Sequence, residues 1–347
     1  MTMQALESIS KYLLCRPRGG LNDVLCQIEK CWRYAEKHRR ILVIDTRDSG
    51  LMGSFFEYFS VKESSVPVRD FFSLNEIRAI NQEKCLPKFC SGRLDILDAY
   101  FLDPEKNYVD RASNESITFD FEVDHAETLL VHEQSGGGTL SFACLNRLYV
   151  AEPVRQQVLL AMKKLPKTYS AIHIRNTDYQ SNYKYYFSKL AKRFIGRSVL
   201  VSSDDDGAIK YAKSFFQGAN IITLSDRENI DGKPLHLTSS YENERDRKAA
   251  TISAITDLLA LGGSKFFYYM GGEHGHPSGY SVLAAHLCNN KSLINSLLKR
   301  DLNFCSDLSK PKAIFLLPTQ DRFMKMVPKF MRPRLKWIIK STNKFIN

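Results

Sequence analysis

The sequence predicts an α/β protein of two facing Rossmann-like domains with a cleft between them. Three observations carry that reading. The chain has 347 residues, enough for two domains of ordinary size. It opens with a strand, a Gly-Gly turn, a helix and a second strand, and a fresh strand–helix alternation starts near Ser170. In both halves a short apolar run breaks into polar residues, as a strand does at the carboxyl edge of an open α/β sheet, where ligands bind. The expected divisions are an N-terminal Rossmann-like domain over 1–155, a C-terminal Rossmann-like domain over 156–305 and a basic amphipathic tail over 306–347.

Composition limits the alternatives. Hydrophobic residues make up 44% and charged residues 25%, the balance of a globular protein. No run of 18 or more apolar residues occurs, which argues against a transmembrane helix. The first 20 residues lack the pattern of a secretory signal. Cys15, Cys26, Cys31, Cys85, Cys90, Cys144, Cys288 and Cys305 form no CxxC pair, so they are expected as reduced core thiols. The net charge of +11 sits mostly at one end: ten basic residues and Asp321 give the stretch from Lys310 onward a charge of +9. A body with a charge of only +2 does not read as a nucleic-acid binder.

Taken in order, Lys11–Cys15 reads as the first strand. Gly19 and Gly20 make the turn, and Asn22 or Asp23 can cap the next helix. Leu21, Val24, Leu25, Ile28, Cys31, Trp32 and Ala35 recur at helical spacing. Ile41–Ile44 is the second strand. A glycine turn before a helix N-terminus lets an anion approach the backbone. Phe55, Phe56, Tyr58 and Phe59 read as core. Residues 71–130 read as short strands and turns. Leu129–Val131 is a buried strand running into His132, Glu133 and a glycine-rich loop, where the two polar side chains are candidate acids, bases or sugar contacts.

Pro153–Leu165 is a helix with proline in its first turn. Ser170–Ile174 is then a buried strand ending in Arg175-Asn176-Thr177-Asp178. A guanidinium is always charged and offers planar paired donors, so Arg175 suits phosphate oxygens. Ser198–Val201 is a strand with Ser202-Ser203-Asp204-Asp205-Asp206 at its polar end. Helices follow over Ala208–Phe216 and Ala249–Leu261, around a charged insertion at 226–246. Phe266–Met270 is a buried strand, and GGEHGHPSGYS leads into a helix from Val282.

Four of these pieces, in this order, resemble the GDP-fucose-dependent fucosyltransferases of the two-domain GT-B class: the nodulation, core α1,6- and protein O-fucosyltransferases. Gly19-Gly20-Leu21-Asn22-Asp23 is similar to the family's GGLNN. His173-Ile174-Arg175-Asn176-Thr177-Asp178 is similar to H-[hydrophobic]-R-R-x-D, with Asn176 where the second arginine stands. Val199–Asp205 resembles a strand ending in (S/T)DD. Asp257-Leu258-Leu259 with Ser278-Gly279-Tyr280-Ser281 resembles D-L-L…G-T-x-S-S-x-F-S. The resemblance covers 10–45 and 170–287.

It implies fucose transfer from GDP-fucose to a glycan acceptor, with inversion and with neither metal nor cofactor; the lack of a signal pattern, the compact size and the basic tail point to surface polysaccharide synthesis. Arg175 would stabilise the leaving diphosphate. Gly19, Gly20, Asn22, His173, Asp204, Asp205, Ser278, Gly279 and Ser281 would hold the nucleotide sugar. Asp23, Glu133 and Asp178 are the candidates for the catalytic base. The apolar and basic tail, with Trp337, has the make-up of a membrane-surface segment. That implies a peripheral place at the inner, cytoplasmic face of a membrane, where a lipid-linked acceptor would fit. Two alternatives stay open. One is a transferase for another nucleotide sugar with a metal held by Asp204–Asp206. The other is a non-catalytic nucleotide-sugar-binding protein.

Overall fold

The computed structural model describes residues 11–51, 53–178, 180–224, 243–272, 275–302 and 312–316. Its first half contains β1 (Tyr12–Cys15), α1 (Leu21–Lys37), β2 (Ile41–Ile44), β3 (Phe59–Val61), β4 (Val68–Asp70), α2 (Leu74–Ile80), β5 (Cys85–Leu86), β6 (Ala99–Asp103), β7 (Asn107–Asp110), β8 (Leu129–His132), α3 (Leu140–Asn146) and β9 (Leu148–Val150). The second half contains α4 (Glu152–Met162), β10 (Ser170–Ile174), α5 (Tyr183–Phe194), β11 (Ser198–Ser203), α6 (Asp206–Phe215), β12 (Asn220–Ile222), α7 (Glu244–Gly263), β13 (Phe266–Met270), α8 (Gly279–Asn289), α9 (Lys291–Leu297) and β14 (Lys312–Leu316).

Among the described residues each half carries a five-stranded sheet, ordered β4-β2-β1-β8-β5 and β12-β11-β10-β13-β14, and every pairing in both is parallel. The central strands, β1 and β10, are where the strand order reverses. In such sheets the crevice beyond the carboxyl end of the switch strand is the ligand site. The chain places Arg16–Gly20 at one switch point and Arg175–Asp178 at the other. The two-domain α/β expectation therefore holds.

Side chains alternate across the strands and divide the interior. Leu13, Cys15, Leu42 and Ile44 face a core shared with Ala171, Leu200, Phe267, Ile255 and Leu283 of the second half. Leu14, Val43, Leu129 and Val131 face outward onto a smaller core with Phe72 and Ile77. Ile172, Ile174, Val199 and Val201 pack on Phe187, Phe194 and Phe216 beneath α5 and α6. The period of two in a strand dictates this division, and each large apolar side chain fully buried contributes about 1.5–3 kcal/mol. Phe55, Tyr58 and Phe59 are buried in the shared core, as expected of that aromatic cluster.

Two local readings change. Residues 71–130 contain a helix, α2, started by a capping box in which Ser73 and Glu76 satisfy each other's backbone amides. The stretch assigned to the tail contains a strand: β14 pairs with β13 at the edge of the second sheet, because Ala313, Ile314 and Phe315 can lie along Phe267, Tyr268 and Tyr269. The rest of the tail, and Glu273 with His274, lie outside the described residues, as does most of the charged insertion at 226–246.

Candidate active site

The first wall follows β1. Gly19 has φ +92°, a left-handed conformation that an L side chain rarely adopts, and a Cβ there would also stand 3.0 Å from the Asp23 side chain. The chain can therefore turn tightly from Arg18 into α1, whose first turn carries Asn22 and Asp23. Asn22 is buried and accepts a 2.7 Å hydrogen bond from Ser141 Oγ. The glycine-rich loop after β8 closes over this turn. At Gly137 a Cβ would come within 2.6 Å of Asn22 Nδ2, so only glycine lets the loop lie so near. Burial raises the Asp23 carboxyl above the usual range. The amides of Asp23 itself, Gly136 and Gly20 oppose the rise, as does the charge on Arg175.

His132 and Glu133 sit at the same sheet edge in engaged states. His132 Nε2 lies 2.9 Å from Gln27 Oε1, and Nδ1 lies 2.7 Å from Thr118 Oγ1. Gln27 Nε2 donates to the Gly136 carbonyl at 2.6 Å, which fixes Gln27 Oε1 as the acceptor from the histidine. Full burial pushes His132 down to about 3, so it is neutral and joins Gln27 to the strand. Glu133 is 1% exposed and accepts from Arg18 through Nε at 2.9 Å and through a closer Nη2 contact. Arg16 Nη1 lies 3.7 Å from its other oxygen. Two guanidiniums thus enclose this carboxylate.

The second wall follows β10. Arg175 is held by Asp178, which accepts from Nε at 2.9 Å and from Nη2 at 2.7 Å. Burial lowers the guanidinium's proton affinity; the hydrogen bonds and charge of Asp178, with Asp204 and Asp23 behind, reverse the effect. The loop is braced from below. Asp204 accepts from the Asn176 amide and from Thr177 Oγ1, each at 2.7 Å. Asp205 accepts from Asn176 Nδ2 at 2.6 Å while capping α6 through the Gly207 amide at 2.7 Å. Asn176 therefore points into the scaffold, where an amide fits between Asp205 and the Ser181 amide.

Neighbouring polar pairs fix the rest. Ser202 Oγ donates to buried Asp257 at 2.8 Å, tying β11 to α7. His173 Nδ1 lies 2.7 Å from Ser281 Oγ, and its ring tilts against Tyr280 with centroids 4.9 Å apart. Ser278 caps α8, accepting from the Ser281 amide at 3.2 Å.

The walls meet between α1 and α8. A Cβ at Gly279 would stand 2.8 Å from Asn22 Nδ2, so the first turns of the two helices touch. Asp23 and Arg175 face each other electrostatically from opposite halves. Two helix N-termini thus meet with an arginine in electrostatic reach, an arrangement suited to a diphosphate. Gly19, Gly20, Asn22, Asp23, His173, Arg175, Asp178, Ser278, Gly279 and Ser281 come together there. Asp204 and Asp205 support the loop from behind, and Glu133 sits to one side under Arg16 and Arg18. Neither arginine was singled out in the sequence, although R-P-R-G-G sets both directly before the turn; Asn176 and Thr177 serve as braces that no spacing rule reveals. Among the described residues no three His, Cys, Asp or Glu side chains are grouped to hold a metal ion.

A pair of parallel-sheet domains whose helix N-termini meet near the two switch points is the GT-B arrangement. Solved structures of fucosyltransferases share it. The NodZ α-1,6-fucosyltransferase soaked with GDP-fucose aligns with a TM-score of 0.54 at 15% identity, over 80% of this chain and 92% of that one. The fucosyltransferase NodZ from Bradyrhizobium aligns at 0.53 and 14%, over 80% and 93%. POFUT1 in complex with GDP-fucose aligns at 0.48 and 11%, over 90% and 99%. No protein-family model and no curated protein matches the sequence. The chain has the fold of the GT-B fucosyltransferases.

Proposed function

We propose that this protein is a glycosyltransferase that moves fucose from GDP-fucose to a hydroxyl of a glycan acceptor. The observation that carries the reading is the convergence of Arg175 with the N-termini of α1 and α8, in a fold shared with the NodZ structure soaked with GDP-fucose. Stretching the bond between the sugar and the β-phosphate builds negative charge on the leaving diphosphate. Donors fixed in place for that charge are worth about 3 kcal/mol each. Arg175 supplies a permanent cation, and the amides after Gly20 and Ser278 supply neutral donors. His173, held by Ser281, adds a contact for the nucleoside.

The acceptor hydroxyl attacks the anomeric carbon from the face opposite the diphosphate, its proton passes to a carboxylate, and GDP leaves, so the configuration inverts. Asp23 is the base this geometry favours. Glu133 is enclosed by Arg16 and Arg18, and Asp178 is committed to Arg175. Asp23 has the raised proton affinity of a buried carboxyl and stands across from Arg175. Asp204 and Asp205 act by holding the Arg175 loop, which leaves them poorly placed to ligate a metal bridging the diphosphate. We place the protein in surface polysaccharide synthesis at the cytoplasmic face of a membrane, on the charge of its tail.

Incubation with GDP-fucose tests the activity. Slow hydrolysis or transfer that persists in EDTA is expected. Loss of turnover in EDTA would instead support a metal-dependent transferase. Tight GDP-fucose binding with no turnover would support a nucleotide-sugar-binding protein, a reading that Asn176 favours because only one guanidinium remains at the diphosphate.

A further inference from the structure

The β6–β7 hairpin belongs to no motif of the donor site, yet it is bolted to that site. Asn107 Nδ2 donates to the Ser135 carbonyl at 2.8 Å, and Asn107 Oδ1 accepts from Ser135 Oγ at 2.9 Å. The Tyr108 amide and carbonyl both bond the Gln134 side chain, at 3.2 and 2.8 Å. Ser135 leads directly into the glycine loop that lies on Asn22 and Asp23. The hairpin's orientation is therefore set by the same segment that sets the proposed base.

One face of the hairpin is built to receive something. Phe101 and Tyr108 are cross-strand partners, so they share that face, with ring centroids 5.8 Å apart. Tyr108 is half-buried over the Arg18 guanidinium, 5.4 Å from ring centroid to cation. Its hydroxyl makes no hydrogen bond among the described residues. Burial pushes the phenol's pKa up; Arg18 opposes this, while Glu133 and Asp23 add to it, which places Asp23 within electrostatic reach of the ring. Further from the cleft, Phe101 is 51% exposed. From the cleft outward the order is thus a carboxylate, an unpartnered phenol above an ion pair, and an open aromatic ring.

That order matches a sugar chain. A pyranose offers hydroxyls around its edge and an apolar C–H face that packs on a ring, while the phenol provides a polar handle. We propose that the β6–β7 hairpin is the acceptor subsite: Tyr108 contacts the sugar that carries or adjoins the reacting hydroxyl, and Phe101 stacks on the next sugar out. The assignment rests on the fucosyl-transfer reading and gives the otherwise unassigned middle of the chain a role in choosing the acceptor. It takes a pyranose oligomer as its ligand, with at least two units engaged.

The test separates acceptor from donor. The full chain is incubated with GDP-fucose and a panel of tetrasaccharides of β1,4-linked glucose, β1,4-linked N-acetylglucosamine, β1,3-linked galactose and α1,6-linked mannose. Transfer and hydrolysis are followed together. Tyr108→Phe and Phe101→Ser are each expected to lower the ratio of transfer to hydrolysis at least about tenfold, through acceptor KM. Ile195→Ser, an exposed position at the end of α5, keeps the ratio. Amide hydrogen exchange is read in parallel with GDP and each oligosaccharide; residues 99–110 should gain protection with at least one sugar and none with GDP alone. A ratio unchanged in both hairpin variants, or protection confined to other segments or absent, overturns the subsite. A wild-type chain that neither binds nor hydrolyses GDP-fucose counts against the donor reading instead. Hairpin protection produced by a peptide fused to the sugar but not by the sugar alone would point to a protein acceptor surface and also overturn the proposal.

Discussion

Arg175 and Asp178 form a two-pronged ion pair, Nε to Oδ1 and Nη2 to Oδ2, three residues apart on one loop. The pair aims the guanidinium rather than neutralising it, because Arg175 keeps three further N–H donors. Arg175→Ala is expected to lower kcat by at least about a hundredfold, near 3 kcal/mol of transition-state stabilisation. Arg175→Lys should recover little of this, since an ammonium cannot make the paired contact. Steady-state kinetics with GDP-fucose decide it; a near-normal kcat in Arg175→Ala removes the assigned role.

Asp204 and Asp205 should behave as positioning residues. Asp205→Asn and Thr177→Ala loosen the loop while leaving Arg175 and Asp178 in place, so kcat is expected to fall about tenfold with little change in melting temperature. A fall in GDP affinity with unchanged kcat would mean that they contact the nucleotide directly.

The pH profile reports on Asp23. Its folded pKa lies above the ordinary carboxylate value, and a base acts only when ionised. Activity is therefore present above the raised pKa and lost as pH falls through it, giving an acid limb higher than the usual value of about 4. Asp23→Asn should abolish that limb and lower kcat by roughly a hundredfold or more. A limb that persists in the variant assigns it to another group.

His132 makes folding itself pH-dependent. The folded-state pKa is about 3 against an ordinary value of 6.5. Below 6.5 the unfolded chain binds a proton that the folded chain refuses. Stability is thus complete above 6.5 and declines toward 3, by up to about 1.4 kcal/mol per pH unit from this residue. Urea unfolding of the wild type and of His132→Gln at pH 7 and pH 5 measures it; the variant should lose about 2 kcal/mol less over that interval. Equal losses would show that His132 is not the source.

Much of the site was legible because it is local in the chain. The turn Gly19–Asp23 and the strand end at Arg175 announce themselves by an abrupt change from apolar to polar residues, and the structure puts both at switch points. Asn176 was legible only as a departure: its fit between Asp205 and Ser181 depends on a residue 29 positions away. Tyr108 carries no local signal at all. Its place over Arg18 arises from pairing between segments some ninety residues apart in sequence, which no periodicity encodes. The helix α2 escaped for a different reason: its Ser73–Glu76 capping box is visible in the sequence, but seven residues give too short a repeat to stand out.

Gly279 offers a direct probe of the contact between halves. A methyl group there would press on Asn22, so Gly279→Ala is expected to cost about 1–3 kcal/mol by overpacking and to weaken GDP binding in the same step. Thermal unfolding with and without GDP measures both; a loss of stability without a loss of affinity would separate the contact from the site.

The central core draws its side chains from both halves, with Leu13, Ile28 and Leu145 packed in one cluster with Leu258, Phe267 and Leu287. Neither half owns a complete interior. Excising one would leave a broad apolar face open to water, so neither half can be lifted out and joined to a foreign partner as a module. On the proposed reading, changes in acceptor preference arise within loops and hairpins such as β6–β7, which can vary in sequence while the shared interior stays whole.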